Sequence, residues 1–271
     1  MTLLFDTRYL FVRSLKKLFR NPILLFFSLL QPIIFLLLFT QLFSRFASIP
    51  GFGTSTCDTA NPTYAFPNYV SFAIAGIVLQ NAFSSAFQSG TAVVDDVKSG
   101  YLEKMLATPV SRPAILLGRL LTDSFRVVVQ SSIILGLGVL AFGVFPETGI
   151  LGLLLILATI AFFGLAWAGI SLALGLKTKS AESVFGIAGF LTFPLLFMST
   201  ALSPQNFLPD WMKTVSKYNP VSITVDAVRS LVAGPGCMDV WGHLLAAFGV
   251  IALIAVVTLG ATLYLFRKVI G

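Results

Sequence analysis

Six stretches of this 271-residue chain are long and apolar enough to cross the hydrocarbon core of a bilayer, which takes about 20 residues as a helix. They cover about residues 23–43, 67–94, 114–145, 150–176, 183–202 and 244–266. Only the third holds charged side chains: Arg119, Asp123 and Arg126. Inside hydrocarbon a backbone must satisfy its own polar groups, and runs of this length do so as helices. Composition removes the soluble alternative, because 56% of residues are hydrophobic, 11% are charged and mean hydropathy is +0.92. A soluble domain carries about 25% charged residues. The expectation is an all-α integral membrane protein with six transmembrane helices.

The net charge of +7 does not point to nucleic acid, since no basic patch is interleaved with a nucleic-acid motif. It reports topology instead. Six spans place both termini on one side. With the N-terminus inside, that side holds Arg8, Arg13, Lys16, Lys17, Arg20, Lys98, Lys104, Arg112, Lys177, Lys179, Arg267 and Lys268. The outer segments keep Arg45, Lys213, Lys217 and Arg229. Cations collect on cytoplasmic loops, so both termini are expected in the cytoplasm. The first span exceeds the usual signal-peptide apolar region of about 7–15 residues and lacks an A-x-A site, so it reads as a retained helix.

Residues 1–20 have the pattern of an amphipathic helix. Leu4, Phe11, Val12, Leu15, Leu18 and Phe19 cover one face, and Arg13, Lys16, Lys17 and Arg20 the other; Arg8 falls near the apolar side. Such a helix lies along the inner interface with its cations at anionic headgroups. A basic flank that merely sets orientation is the alternative.

Cys57 and Cys237 both fall in outer segments, on the oxidising side of the membrane, so a disulfide between them is one expectation and two free thiols the other. His243 is the single histidine, and no metal site is expected. The chain has no G-x-x-x-x-G-K-[ST] loop, no G-x-S-x-G and no H-E-x-x-H, so neither a cofactor nor catalysis is expected of it alone.

The most informative stretch is residues 95–112. Leu102, Met105 and Leu106 recur at helical spacing, with Glu103 and Lys104 on the other side. Gly100 relieves the backbone at the helix entry and Pro109 ends the pattern. A short amphipathic helix between two spans suits docking into a groove on a soluble partner. A helix resting on headgroups is the alternative. In the third span Arg119, Asp123 and Arg126 share one face. They read either as an inner gate or link to the short helix, or as a structural ion cluster reaching for the interface. Gly164, Ala168, Ser171 and Gly175 share a face of the fourth span and fit close helix packing.

Residues 204–232 mix Phe207, Leu208, Trp211, Met212 and Val215 with Lys213 and Lys217, and contain no run long enough to span. Two short interfacial helices broken at Asn219-Pro220 account for that mixture. Asp226 and Arg229, three apart, are spaced to pair on the second.

Asp96, Gly100, Glu103 and the run Leu106-Ala107-Thr108-Pro109-Val110-Ser111-Arg112, continuing into Leu117-Gly118-Arg119, resemble the ABC-2 type transporter permeases, most of all their daunorubicin-resistance-like drug-export branch. Leu208-Pro209, Asn219-Pro220, Asp226 and Arg229 are similar to the family's pattern before the last span. Asp95-Asp96 departs from it, since many relatives carry a Glu- or Arg-containing run there. The resemblance implies one transmembrane domain over 1–271, the permease subunit of an ATP-driven exporter in the inner (plasma) membrane of a prokaryotic cell. ATP and Mg would sit on two separate ABC ATPase subunits. A second copy, or a similar permease subunit, would complete the path.

In that picture Asp96, Gly100, Glu103, Lys104, Thr108, Pro109 and Arg112 form the coupling region on the ATPase, which the N-terminal helix also touches. Trp211, Asn219, Pro220, Asp226 and Arg229 belong to outer helices dipping back into the outer leaflet. The substrate would be an amphiphile, such as a drug, an antibiotic or a lipid-like molecule, moved outward from the cytoplasm or inner leaflet. A polysaccharide or glycolipid exporter of the same superfamily is the nearest alternative. An ion-coupled secondary carrier would call for midplane acids, and Asp123 is the only acid within a span. An intramembrane enzyme lacks a catalytic constellation.

Overall fold

The computed structural model describes residues 3–20, 22–42, 69–108 and 110–270, and all regular structure in them is helical. The α-helices are α1 (Leu3–Phe19), α2 (Pro22–Leu42), α3 (Tyr69–Lys98), α4 (Tyr101–Leu106), α5 (Arg112–Phe142), α6 (Gly149–Thr178), α7 (Ala181–Phe197), α8 (Asp210–Tyr218), α9 (Pro220–Ala233) and α10 (Val240–Ile270). A 3₁₀ turn, Gln205–Phe207, precedes α8.

Each expected span corresponds to one helix. Four are long and apolar enough to cross a membrane: Val70–Lys98, Pro113–Phe142, Gly149–Thr178 and Val240–Leu265. The apolar stretches Phe26–Leu42 of α2 and Ala181–Phe197 (α7) are shorter. The fifth span was expected to reach Leu202, but α7 stops at Phe197. Beyond it, hydroxyl groups take over the helix-end polar groups: Ser199 Oγ donates to Leu196 O at 2.6 Å, and the Thr200 N–H donates to Ser222 Oγ at 3.2 Å. The chain thereby folds back onto α9 instead of continuing.

At the centre, α3 and α6 pack backbone to backbone. A Cβ on Gly90 would overlap Ser171, and one on Gly175 would lie 2.5 Å from the Gly90 carbonyl oxygen. The small face of the fourth span therefore does what its spacing suggested, and Ser171 Oγ donates across it to Phe87 O at 3.2 Å. Hydroxyls also fasten α10 to α6: Thr258 Oγ1 donates to Ala166 O at 3.2 Å and Thr262 Oγ1 to Gly169 O at 2.9 Å. Around this core Leu140, Ile150, Phe190, Leu253 and Val256 point outward, fully or largely exposed, as a lipid-facing surface requires.

The Asn219-Pro220 break falls where expected. Asn219 caps α9 by accepting the Val221 N–H at 2.9 Å, and its amide donates to Leu195 O at 2.7 Å. The two helices it separates differ, however. α8 exposes Trp211, Val215 and Tyr218, as an interfacial helix does. α9 is buried from Val221 to Ala233 with only brief interruptions, packed against α3, α6 and α10. Its polar groups are satisfied internally, with Thr224 Oγ1 donating to Pro220 O and Ser230 Oγ to Ala227 O, both at 2.8 Å.

The expected disulfide needs correction. Cys57 lies outside the described residues, and no disulfide joins two described residues.

Candidate functional site

The residues singled out around the third span gather at one end of the bundle, where α3 turns through α4 into α5. Gly100 makes that turn possible with φ +68°, a left-handed conformation that side chains other than glycine rarely adopt. α4 buries Leu102 and half-buries Met105 and Leu106, while Glu103 and Lys104 face outward. Beneath it lies an apolar cluster separate from the main core: Val93 from α3, Leu102 from α4, Ile115 and Leu116 from α5, and Leu172 and Leu176 from α6. Thr108 Oγ1 donates to Met105 O at 2.5 Å just past the helix. Arg112 opens α5, and Pro109 lies outside the described residues.

The charged face of α5 is turned toward α3. Arg119 bridges to Asp96 at 2.5 Å, and both side chains are about four-fifths buried. Arg126 pairs with Asp123 at 3.3 Å, donates through Nη2 to Ser85 O at 2.8 Å and through Nη1 to Gln88 Oε1 at 3.2 Å. These partners hold Arg126 within the bundle, and it is only 8% exposed.

Several participants escaped the sequence reading. Asp6 is buried, and its carboxylate accepts the Ser111 N–H at 3.2 Å, fastening α1 to the start of α5. Gly118 lets the two helices approach, since a Cβ there would lie 2.9 Å from Leu10 Cβ. The buried face of α1 therefore runs through Asp6, Thr7, Leu10 and Phe11, and Arg13 stacks on Tyr101 of α4 at 4.9 Å. Farther along, Gln130 accepts from Ser85 Oγ at 2.6 Å and donates to Ser28 Oγ at 2.6 Å, linking α5, α3 and α2. An acid on an otherwise apolar helix face, and a glutamine inside a span, were the available signals.

Arg229 sits at the other end of the bundle, beside Phe72 near the start of α3, on the helix that Asn219 caps, Pro220 opens and Asp226 shares, while Trp211 is exposed on α8. Arg229 is fully buried. Its Nε donates to Phe72 O at 3.3 Å, its Nη2 to Ala201 O at 3.2 Å, and its Nη1 lies 3.5 Å from Asp226 Oδ1. The guanidinium also stacks on the Phe72 ring at 3.6 Å. Burial pushes the Asp226 carboxyl above the usual carboxylate range, opposed by Arg229 and by a 3.0 Å hydrogen bond from Thr200 Oγ1. The i, i+3 pair foreseen in the sequence is thus a buried structural knot. Among the described residues no group of His, Cys, Asp or Glu is placed to hold a metal ion.

Long apolar helices with a charged corner at one end define an all-α, multi-span membrane protein. Residues 6–232 match the family model for ABC-2 type transporters, and the chain belongs to that family. It is 31% identical over 239 residues to the daunorubicin resistance ABC transporter permease protein DrrB1 of Streptomyces coeruleorubidus, covering 88% of this chain and 79% of that protein. It is 30% identical over 237 residues to the putative transport permease ycf38 of Cyanophora paradoxa, covering 83% and 76%. Nodulation protein J of Rhizobium leguminosarum bv. trifolii is 27% identical over 179 residues, covering 65% and 67%. The relatives include proteins named for drug resistance and for nodulation, so the match defines the family and not its drug-export branch.

Proposed function

We propose that this chain is the membrane-spanning subunit of an ATP-driven exporter in the inner membrane of a prokaryotic cell, with both termini cytoplasmic. A single transmembrane domain spans residues 1–271 and pairs with a second copy or a similar subunit. Two separate ATPase subunits, which bind ATP and Mg, dock on residues 95–112. The substrate is an amphiphile, a class that fits the drug-resistance names of several relatives.

The observation that carries this reading is the construction of the α4 corner. Glu103 and Lys104 face outward on a helix anchored by Leu102 in an apolar cluster shared with α3, α5 and α6. A partner pressing on α4 therefore moves the ends of three long helices together. The Asp96–Arg119 bridge adds a stiff strut between α3 and α5. A ligand shifts a conformational equilibrium only by its differential affinity for the two states. Here that difference comes from closure of the ATPase pair, because the chain has no energy source of its own.

Glu103→Lys tests the coupling role. In vesicles containing the whole complex, the substitution is expected to lower ATP-driven transport about tenfold or more, as loss of a 1.4 kcal/mol docking contact would. The folded chain should remain at its normal level, since Glu103 is exposed. Unchanged transport would remove Glu103 from the docking surface.

A further inference from the structure

A cavity of about 750 Å³ lies between α1, the last turns of α3, α4 and the first half of α5. Its size is that of a small-molecule site, which takes about 300–1,000 Å³. Arg13, Lys104, Arg119 and Arg126 line it, against Asp96 and Asp123. Asp96 is engaged by Arg119 and Asp123 by Arg126. The wall therefore has two cations, Arg13 and Lys104, in excess of its carboxylates. Arg13 is steered to its place by stacking on Tyr101.

The remaining wall includes Leu10, Leu18, Met105 and Ile115, which suit the first methylenes of a tail rather than a free ion. A cationic or neutral guest would leave Arg13 and Lys104 uncompensated. An anionic headgroup answers both of them.

We infer that this cavity is a binding site for the anionic headgroup of an amphiphile, with phosphate as the recognised chemistry. Its place in transport rests on the function proposed above; binding itself does not. Arg13 and Lys104 hold the charge at the mouth, and the apolar side chains cover the adjoining tail. Because α4 forms one wall, an occupied cavity and a docked partner would share that helix.

The test is native mass spectrometry of the purified full chain in detergent, offered equimolar dioleoyl phosphatidylglycerol and dioleoyl phosphatidylcholine. The unaltered chain is expected to retain phosphatidylglycerol about tenfold over phosphatidylcholine or better, as two cations near a headgroup allow. Arg13→Gln with Lys104→Gln should bring the two lipids to parity. Arg13→Lys with Lys104→Arg should keep the preference, which separates charge from misfolding. Lys213→Gln, on exposed α8, should also keep it. Equal retention by the unaltered chain, or a preference that survives the Gln pair, would overturn the inference. Displacement of the lipid by millimolar inorganic phosphate would assign the site to a free anion and overturn it likewise. The measurement needs neither ATP nor transport, so its failure is distinct from failure of the exporter reading.

Discussion

Arg229→Leu is expected to lower the unfolding midpoint of the detergent-purified chain by on the order of 10 °C, the largest effect of any single side chain here. Breaking a buried pair by removing one partner costs about 3–5 kcal/mol, and about 2–4 °C follows from each kcal/mol in chains of similar length. Arg229 also holds together three parts of the chain, through the carbonyls of Phe72 and Ala201 and the carboxylate of Asp226. Leucine would fill part of the volume and leave both carbonyls without their donor. Lysine should not rescue, because one ammonium cannot reproduce a planar fork that bonds two carbonyls while stacking on Phe72. Asp226→Asn should be milder, since Thr200 Oγ1 can still donate to an amide oxygen. A midpoint within a degree or two of the unaltered chain would show that Arg229 is not the knot described.

The second large effect is expected at Gly90. Gly90→Ala should abolish recovery of a monodisperse chain in size-exclusion chromatography, because the new methyl group would meet not only the Ser171 hydroxyl but also the Ser171 backbone carbonyl, which cannot rotate away. Overpacking costs about 1–3 kcal/mol when neighbours can yield, and occasionally more. Here α3 and α6 would have to separate along their whole contact, and that contact forms the centre of the bundle. Gly175→Ala faces the same crossing from the other side and should behave alike. Gly136→Ala is the control: nothing lies within 4 Å of a Cβ there, so it should be neutral or stabilise α5 by about 1 kcal/mol. Normal recovery of Gly90→Ala would mean that the helices do not cross this closely.

Local periodicity made part of this structure legible from the chain alone. The apolar runs gave the long helices because a span has no other way to satisfy its backbone. Leu102, Met105 and Leu106 gave α4 because its apolar face is set by neighbours three and four residues apart. Gly164, Ser171 and Gly175 gave a packing face for the same reason. What stayed hidden depends on partners far away in sequence. Apolar residues mixed with Lys213 and Lys217, and no run long enough to span, make all of 204–232 read as interfacial, and only the distant Phe72 and Ala201 carbonyls show that α9 is an interior helix. The early end of α7 depends on Ser222 in the same way. At the α4 corner the residues on one α5 face were evident, but not that Arg119 would find Asp96 or that Asp6 would reach Ser111. Hydropathy averages over such residues, so the cavity between α1 and α4 left no trace in it.

Docking of a separate ATPase on the outward face of α4 is the step on which the proposed transport cycle depends. It is tested most directly by placing a photo-reactive amino acid at position 103 in cells that make the whole complex, then identifying the cross-linked protein by peptide mapping. The expected result is a covalent adduct with a subunit whose peptides include a phosphate-binding loop, and no such adduct when the same group replaces Trp211 on α8. Labelling of lipid alone from position 103, or capture of the ATPase from position 211 instead, would contradict it.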